Sequence, residues 1–549
     1  MAAPYRDILQ KLRTAFPQPI SDRIHDSYFV HSIMRALDQV DALKSELPLL
    51  ARTMPSDYDA ARHAQLRPQP ASLEEVTSDL VSYLHGMPIF GHPRTQQNVI
   101  VQPSIPSLIG VLLASLYNPN LAWDEYSRRV ALAEVEATAI TANLVGYDPD
   151  LAAGVFTFGG TGTTLYGVKI GLEKACPGTM QQGVHADAVL FASDASHYAR
   201  YNVAGWLGMG TRHIVTVPTG PTGDIDLGEL RRMAKEALAA GKRIAAFIAT
   251  MGSTDSFGLD DLEGIVHLRD ALVHEHELPY RPHIHADAVI GWAWSVFNEY
   301  DWEANALGFR PRTTRALAGA CRHLRHLHLA DSLGVDFHKT GFAPYISSLF
   351  LVRDRADLNL LSRDPAQMPY LYHFGEHVPG MFTLETSRAG SGVLAALANL
   401  RLFGKEGLQA VLGHLVEMTQ VLREHLEGHV ATTVLNRDNF GTVTLFRVYP
   451  EDVDTFAIKR QEFEDPNYRE SLLRHNEYNR RIFRYVHEEA LAGRGVMISL
   501  TDCYRHTSYG EPIVALKSYI LSPFVDEEHV EALVRKVLEA REHVEAPGG

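Results

Sequence analysis

The residues most able to do chemistry in this chain lie in three separate segments. Lys339 follows His338 at the end of an apolar run, Asp287 stands inside another apolar run, and residues 158–164 form a turn rich in glycine and threonine. A buried ammonium group is costly, so a lysine in such a run is either an unusual structural residue or a reactive amine. A lysine, an acid and an anion cradle are what a protein must supply to hold pyridoxal 5'-phosphate (PLP).

The turn is a candidate phosphate site. It follows a predicted strand over 155–158 and opens a predicted helix over 164–175. Backbone N–H groups at a helix N-terminus suit a phosphate dianion, and Gly160, Thr161 and Gly162 would present them. The spacing is neither that of a Walker A loop nor G-x-G-x-x-G, so a tight turn without a ligand is the alternative interpretation.

Three single residues are open to two interpretations each. Asp287 would pair with a pyridinium nitrogen, which keeps the acid ionised, or else form a helix cap or an internal salt bridge. Burial and neighbouring groups are expected to lower the pKa of Lys339 and favour the neutral nucleophile, whereas a lysine stem lying along apolar surface is the alternative. His197 could stack on a planar ring, although a histidine after a strand is usually structural.

Metal binding is not predicted. His283 and His285 would share one face of a strand, and further histidines follow, but no carboxylate or cysteine completes a zinc spacing. The further histidines are His323, His326 and His328.

Composition describes a globular chain of more than one domain. The 549 residues are 46% hydrophobic and 21% charged, which is ordinary for such proteins. A net charge of -15 argues against non-specific binding to nucleic acid or anionic membranes. The three cysteines form no disulfide framework, and no secretory signal or membrane-spanning stretch is recognised, so a cytoplasmic location is predicted.

Alternating helices and apolar strands must position the candidate residues. This pattern, from about residue 107 to 355, predicts a mostly parallel sheet covered on both faces, with ligands beyond the carboxyl ends of the strands. The predicted strands are 189–192, 214–217, 245–249, 283–289 and 348–352, and the predicted helices are 107–116, 123–145, 164–175 and 226–240.

The remaining segments complete the predicted organisation. Residues 1–106 are helical and loop-rich without an evident core, whereas residues 354–381 lack periodicity, which is typical of a functional loop. Helices and strands alternate again after about residue 386, which indicates a small α+β domain. The predicted domains are therefore 1–106, 107–385 and 386–549.

Taken together, these segments resemble the group II PLP-dependent amino-acid decarboxylases of the fold type I transferase superfamily. The family's signature is an aspartate strand and, about 50 residues later, a His-Lys pair, which Asp287 and His338-Lys339 match. The resemblance covers about residues 75–405 and implies an α/β fold with a mostly parallel seven-stranded sheet flanked by helices. Two departures are that Asp336-Phe337 replaces the frequent Asn-Pro, and that Gly162 replaces a glutamate of the turn.

The resemblance also implies roles for the candidate residues. Lys339 would be the Schiff-base lysine, Asp287 the partner of the pyridine nitrogen and His197 the ring-stacking residue. Further cofactor contacts are implied for Gly160, Thr161, Gly162, Thr254, Ser332 and His338. Arg388 matches an arginine that follows the family's mobile loop, in which Tyr370 or Tyr372 would protonate the product carbanion.

The implied enzyme is a homodimer with active sites at the interface and an N-terminal segment, residues 1–106, wrapping the partner. Residues 92–98 resemble the substrate-side wall, and residues 502–506 would border the pocket. The implied reaction converts an L-amino acid to its amine and CO2. Length, C-terminal domain and the Ser387-Arg388 pair look like the bacterial methionine/valine type, so an aliphatic or thioether substrate (methionine, valine, leucine) is predicted.

Several alternatives remain open. The substrate could instead be an aromatic, acidic or diamino acid. If Phe374 occupies the tyrosine's place in the loop, the chain would be an oxygen-dependent oxidative deaminase (aldehyde synthase). A PLP-dependent carbon–sulfur lyase, an aminotransferase and a PLP-free scaffold are the other readings of the same residues.

Overall fold

The structure is a computed structural model that describes residues 23–46, 56–368 and 375–546. The strands are β1 (Ala153–Thr157), β2 (Ala188–Ser193), β3 (Ile214–Val217), β4 (Arg243–Thr250), β5 (His283–Asp287), β6 (Ser332–Asp336), β7 (Ser348–Val352), β8 (Thr432–Val434), β9 (Val443–Val448), β10 (Ser499–Thr501) and β11 (Ala515–Tyr519).

The helices surround these strands. They are α1 (Arg23–Glu46), α2 (Tyr58–Arg62), α3 (Leu73–Ser82), α4 (Ile105–Tyr117), α5 (Asp124–Ser127), α6 (Arg129–Val145), α7 (Gly160–Ala175), α8 (Thr179–Gln182), α9 (Ala199–Trp206), α10 (Leu227–Ala239), α11 (Leu262–Glu275), α12 (Pro311–Leu324), α13 (Ser391–Glu427), α14 (Ile458–Glu464), α15 (Arg469–Leu491) and α16 (Glu527–Glu545). Short 3-10 segments are Thr211–His213, Gly291–Phe297, Leu327–Leu329, Arg355–Leu361, Pro365–Gln367, Pro379–Met381 and Pro466–Tyr468.

A seven-stranded sheet in the order β1-β7-β6-β5-β4-β2-β3 organises the larger part of the chain. Neighbouring strands from β3 to β6 pair in parallel, whereas β7 runs antiparallel to both β6 and β1. Strands β2, β6 and β7 are buried along their whole length, as strands covered on both faces must be. The predicted mostly parallel seven-stranded sheet is confirmed.

Helix α7 lies directly on this sheet because two of its glycines allow close approach. A Cβ atom at Gly171 would lie 2.5 Å from the carbonyl oxygen of Ala245, and one at Gly167 would lie 2.5 Å from His285 Nδ1. The helix therefore crosses β4, β5 and β6 at short range. Its N-terminus reaches the edge of the sheet at which β5 and β6 end.

Several boundaries differ from the predicted ones. Helix α7 begins at Gly160, so the glycine- and threonine-rich turn forms its first turn. The predicted helix 123–145 is divided into α5 and α6 at Arg128, which has a φ of 46°. Helix α13 contains a break at Gly404, which has a φ of 55°.

The C-terminal part contains a four-stranded antiparallel sheet in the order β10-β11-β9-β8. Its inner face continues the same hydrophobic core that fills the space beneath the larger sheet, through residues such as Val443, Phe446 and Leu516. Within the described ranges, no helix combines the length and the apolar character needed to cross a membrane.

Candidate active site

The candidate residues meet at the carboxyl edge of the parallel strands. Asp287 is the last residue of β5 and Asp336 the last residue of β6. Lys339 follows in the turn after β6, and Gly160 opens α7 beside them: a Cβ atom at Gly160 would lie 3.1 Å from Asp336 Oδ2. This is the edge at which open α/β sheets bind ligands.

Lys339 is held by Asp336. Its Nζ atom lies 2.9 Å from Asp336 Oδ2, and the Asp336 side chain is 1% exposed. Burial favours the neutral amine, but Asp336 and then Asp287 outweigh it and raise the pKa of Lys339 above its ordinary value. The lowered lysine pKa predicted from the sequence is therefore wrong, because two carboxylates face one ammonium group.

Asp336 has further partners. The Ser348 hydroxyl donates a hydrogen bond of 2.6 Å to its Oδ1 atom, and His338 Nε2 lies 3.4 Å from its Oδ2 atom. His338 is itself buried, and its Nδ1 atom accepts from the backbone N–H of Ser347 at 3.2 Å. Burial lowers the pKa of His338.

Asp287, in contrast, keeps an oxygen free. Its Oδ1 atom is buried and finds no hydrogen-bond partner among the described residues. Burial raises the pKa of Asp287 to about 6, although Lys339 opposes that shift. A buried acceptor without a partner is rare in folded proteins and marks a place where a ligand group can complete the pairing.

His197 stands beside Lys339 as a neutral ring. Burial and then the charge of Lys339 lower its pKa. Its Nδ1 atom accepts a hydrogen bond of 3.2 Å from the backbone N–H of Ala199, so the ring proton is assigned to Nε2. A fixed and uncharged imidazole of this kind can pack against a flat ligand ring.

The start of α7 offers an anion cradle. The N–H groups of Gly162 and Thr163 donate to Gly159 O, whereas those of Gly160 and Thr161 have no acceptor among the described residues. Open space surrounds Gly159, which has a φ of 109° and no atom within 4 Å of a Cβ built on it. Free N–H groups at the N-terminus of a helix bind phosphate.

These observations fit PLP. The aldehyde needs an amine such as Lys339, the ring nitrogen needs a carboxylate such as Asp287, and the phosphate needs donors such as those that open α7. The buried Oδ1 atom of Asp287 without a partner and the open space at Gly159 are both accounted for by such a ligand.

Some predicted site residues lie elsewhere. Ser332 begins β6 at the opposite edge of the sheet, where its hydroxyl contacts His283 Nε2 at 2.8 Å and His285 Nδ1 at 2.9 Å. The structure therefore does not bring Ser332 to the phosphate cradle. Thr254 is partly buried in the loop after β4, at the same edge as Asp287. Tyr370, Tyr372 and Phe374 lie outside the described residues.

Arg388 lies behind the cradle. Its guanidinium binds the buried carboxylate of Glu134 and donates to the carbonyl oxygen of Phe156 at 3.1 Å. Phe156 in turn donates its backbone N–H to Glu134 at 2.9 Å. Because β1 leads directly into the turn before α7, this ion pair fixes the strand that carries the cradle.

The sequence predicts that two segments, residues 92–98 and 502–506, form walls of the site. The wall of residues 92–98 is attached to the C-terminal sheet, since the Ser518 hydroxyl donates to Gln96 at 2.7 Å. Val99 directly follows this segment, and its carbonyl oxygen accepts a hydrogen bond of 3.2 Å from the Tyr345 hydroxyl. The Tyr345 ring lies 4.2 Å from the His338 ring.

The second wall is the tract 502–506, which lies near the loop after β4. Burial and then Asp255 raise the pKa of Cys503. Asp255 itself pairs with Lys517 at 2.8 Å. Within the described ranges, no group of three or more His, Cys, Asp or Glu side chains could hold a metal ion.

Sequence reasoning missed three residues of the site: Asp336, Tyr345 and Ser348. Asp336 was visible only as a departure from the family's Asn-Pro pair. Its spacing of three residues before Lys339 is compatible with a contact across one turn, which is the signal that could have identified it. Ser348 and Tyr345 carry no comparable local signal. Ser348 comes to the site because β7 pairs with β6, and Tyr345 lies in the turn before β7.

Comparisons with known proteins identify the family. Residues 55–448 match the family model described as the pyridoxal-dependent decarboxylase conserved domain. L-2,4-diaminobutyrate decarboxylase of Acinetobacter baumannii is 26% identical over 378 residues, which cover 66% of this chain and 68% of that protein. Acidic amino acid decarboxylase GADL1 of Bos taurus is 24% identical over 366 residues, covering 65% and 64% respectively.

The fold is shared with solved structures. Oryza sativa TDC with PLP and tryptamine gives a TM-score of 0.76 at 17% identity, covering 96% of this chain and 100% of that one. The family match spans well over half of the chain, so this chain belongs to the pyridoxal-dependent decarboxylases, and its cofactor is PLP.

Proposed function

We propose that this chain converts an L-amino acid to its amine and CO2, with Lys339, Asp287 and His197 around the cofactor. The observation that carries the proposal is the buried Oδ1 atom of Asp287 without a partner, on the strand next to the one that leads to Lys339. Bound PLP draws electrons away from the amino acid's Cα atom, so that the carboxylate can leave as CO2.

Each residue has a task in this proposal. Lys339 anchors the cofactor through its amine, and Asp287 keeps a proton on the ring nitrogen, which strengthens the pull on the electrons. His197 packs on the ring. The N–H groups of Gly160 and Thr161 hold the phosphate. Gly162 allows the helix to approach Thr157, because a Cβ atom at residue 162 would lie only 2.7 Å from Thr157 Oγ1.

The substrate's side chain is proposed to be selected by the two walls, residues 92–98 and 502–506. The relatives above are named for diamino and acidic substrates, and one similar structure holds tryptamine. Since these proteins share the sheet, the sheet does not select the side chain. The aliphatic or thioether substrate predicted from the sequence has no counterpart among them, and L-2,4-diaminobutyrate is the first candidate.

The active form is proposed to be a homodimer. Helix α4 exposes a continuous apolar face, and α1 exposes five further large apolar side chains. An exposed apolar surface of this extent is typical of an interface. On α4 the exposed residues are Ile105, Leu108, Ile109, Leu112, Leu113 and Leu116, and on α1 they are Ile24, Tyr28, Val30, Met34 and Leu37. Light scattering coupled to size-exclusion chromatography tests this proposal, which a monomer of 61.0 kDa would contradict.

The domain division 1–106, 107–385 and 386–549 is likewise proposed. The second and third parts each contain their own sheet. The cytoplasmic location is supported by three free cysteines, Cys176, Cys321 and Cys503.

The experiment is to incubate the PLP-loaded protein with each standard L-amino acid and L-2,4-diaminobutyrate, and to record CO2 release and oxygen consumption together. CO2 with amine and without oxygen uptake is the expected result, whereas stoichiometric oxygen uptake would assign oxidative deamination instead. Lys339→Ala should release no CO2. Lys174→Ala is the matched control, since Lys174 also pairs with an aspartate, Asp357, at 2.6 Å but lies at the other end of α7.

A further inference from the structure

We propose that Asp336 is a positioning residue for Lys339, which holds the amine at the strand edge and takes up its proton when the amine must react. This inference rests on the proposed role of Lys339 in binding the cofactor. It concerns a carboxylate that stands where the sequence comparison with the family leads one to expect an amide.

The geometry shows that a fixed carboxylate holds the lysine amine. Asp336 Oδ2 lies 2.9 Å from Lys339 Nζ, and Asp336 Oδ1 is fixed by the Ser348 hydroxyl at 2.6 Å. Ser348 belongs to the neighbouring strand β7, in direct register with Asp336. The carboxylate therefore cannot rotate away without losing a buried hydrogen bond, and a fixed acceptor holds the amine in one place.

Charged and polar groups surround Asp336. Its neighbours are Lys339 and His338 from the turn after β6, Ser348 from β7, Asp287 from β5 and the start of α7 at Gly160. Tyr345 and His197 face the Lys339 end of the pair.

The proposed step is a single proton transfer. The proton moves from Lys339 Nζ to Asp336 Oδ2, which leaves a neutral amine and a carboxylic acid. The amine then bonds to the carbonyl carbon of PLP, and the carbonyl oxygen leaves as water. When a substrate amine later displaces Lys339, the lysine recovers the proton from Asp336 and returns to the ion pair. No oxidant or reductant is needed.

The test follows the pH dependence of this reaction in apoprotein. Apoprotein is mixed with PLP between pH 7 and 9, the adduct is trapped with borohydride, and modification of Lys339 is quantified by peptide mass spectrometry. Because an internal transfer does not change the total number of protons, the wild-type initial rate should vary less than about twofold across this range. In Asp336→Asn the proton must go to solvent, and the rate should rise about tenfold per pH unit while the amine stays protonated.

Two further variants complete the design. Asp336→Glu restores a carboxylate and should restore the flat profile. Asp357→Asn is the matched control, since it removes the partner of Lys174, and it should behave as wild type. Ionisation of PLP itself is common to all four proteins and cancels in the comparison.

Each outcome decides the question. Equal slopes in wild type and Asp336→Asn would overturn the proposal. If Asp336→Asn does not fold, the wild-type profile alone decides, because a rate rising tenfold per pH unit contradicts internal transfer and a flat rate supports it. If PLP modifies other lysines of the wild-type protein but never Lys339, the proposed function is wrong, and this inference is wrong with it.

Discussion

Asp287 and Asp336 stand at the carboxyl ends of the adjacent parallel strands β5 and β6, but they are used differently. Asp336 is bonded to Ser348 and Lys339, whereas Asp287 keeps a buried Oδ1 atom without a partner. Both carboxylates face Lys339. Asp336 is engaged by protein groups, whereas Asp287 has an oxygen available to a ligand.

Asp287→Asn should have opposite effects on the stabilities of apoprotein and holoprotein. The pKa of Asp287 is raised to about 6 in the folded chain, so the folded state binds the proton more tightly than the unfolded state. Asp287 therefore lowers the free energy of unfolding as pH rises from about 4 to 6, by about 1–3 kcal/mol. Apo Asp287→Asn should gain that amount over wild type at pH 7.5 and almost nothing at pH 4.

Urea unfolding of both apoproteins at the two pH values measures this difference. PLP should reverse it, because a pyridinium nitrogen pairs with the carboxylate and not with the amide. Equal stability of the two apoproteins at pH 7.5 would contradict the assignment of Asp287 as an acid with a buried oxygen that has no partner.

His197→Ala should weaken PLP binding, because the ring would lose the flat, uncharged surface that the imidazole offers. Stacking of this kind is worth about 0.5–1.5 kcal/mol, so the dissociation constant should rise about three- to tenfold. His197→Phe should recover most of the affinity, since a phenyl ring also stacks. Fluorescence titration of apoprotein with PLP measures both variants, and equal losses in Ala and Phe would show that the imidazole acts through hydrogen bonds instead.

Tyr372→Phe should slow protonation of the product and leave release of CO2 less affected. General acids contribute about 10²–10⁴-fold to a proton-transfer step, so amine formation should fall by about 10²-fold or more. Tyr345→Phe is the informative comparison, because the Tyr345 ring lies beside His338 at the site. Amine and CO2 are quantified separately for Tyr345→Phe, Tyr370→Phe and Tyr372→Phe, and a loss confined to Tyr345→Phe would move the proton donor out of the loop.

Apolar runs between turn residues were predictable from sequence. Strands β3 and β7 have the predicted bounds residue for residue, because each is a short apolar run with clear ends. A serine followed three residues later by a glutamate is the pattern of a capping box, and the structure contains one at Ser72 and Glu75. The start of α7 was not predictable from sequence, because glycine disfavours a helix locally. Close contact with the sheet nevertheless requires a glycine at position 162.

The pKa shifts of the site residues were less predictable from sequence than the identity of those residues. Whether the pKa of Lys339 rises or falls depends on a distance of 2.9 Å to Asp336, which only folding sets. Ser332 lies four residues before Asp336, and along a strand that separation is about 13 Å. A local pattern cannot distinguish the two ends of such a strand, which is why Ser332 was assigned to the wrong edge.

Glu134→Ala should strongly destabilise the protein and loosen the cradle. Glu134 is fully buried, and although burial opposes its ionisation, Arg388 and several hydrogen bonds hold its pKa below the ordinary value. Removing it leaves the guanidinium of Arg388 buried without its counter-charge, which costs about 3–5 kcal/mol.

Glu136→Ala is the matched control. Two residues further along α6, Glu136 pairs with Arg401 at 2.8 Å on the surface, where such a pair is worth about 0–1 kcal/mol. Urea unfolding measures both losses, and PLP titration of the folded fraction measures the cradle. Similar losses in the two variants would contradict a role for Arg388 in fixing β1 behind the phosphate.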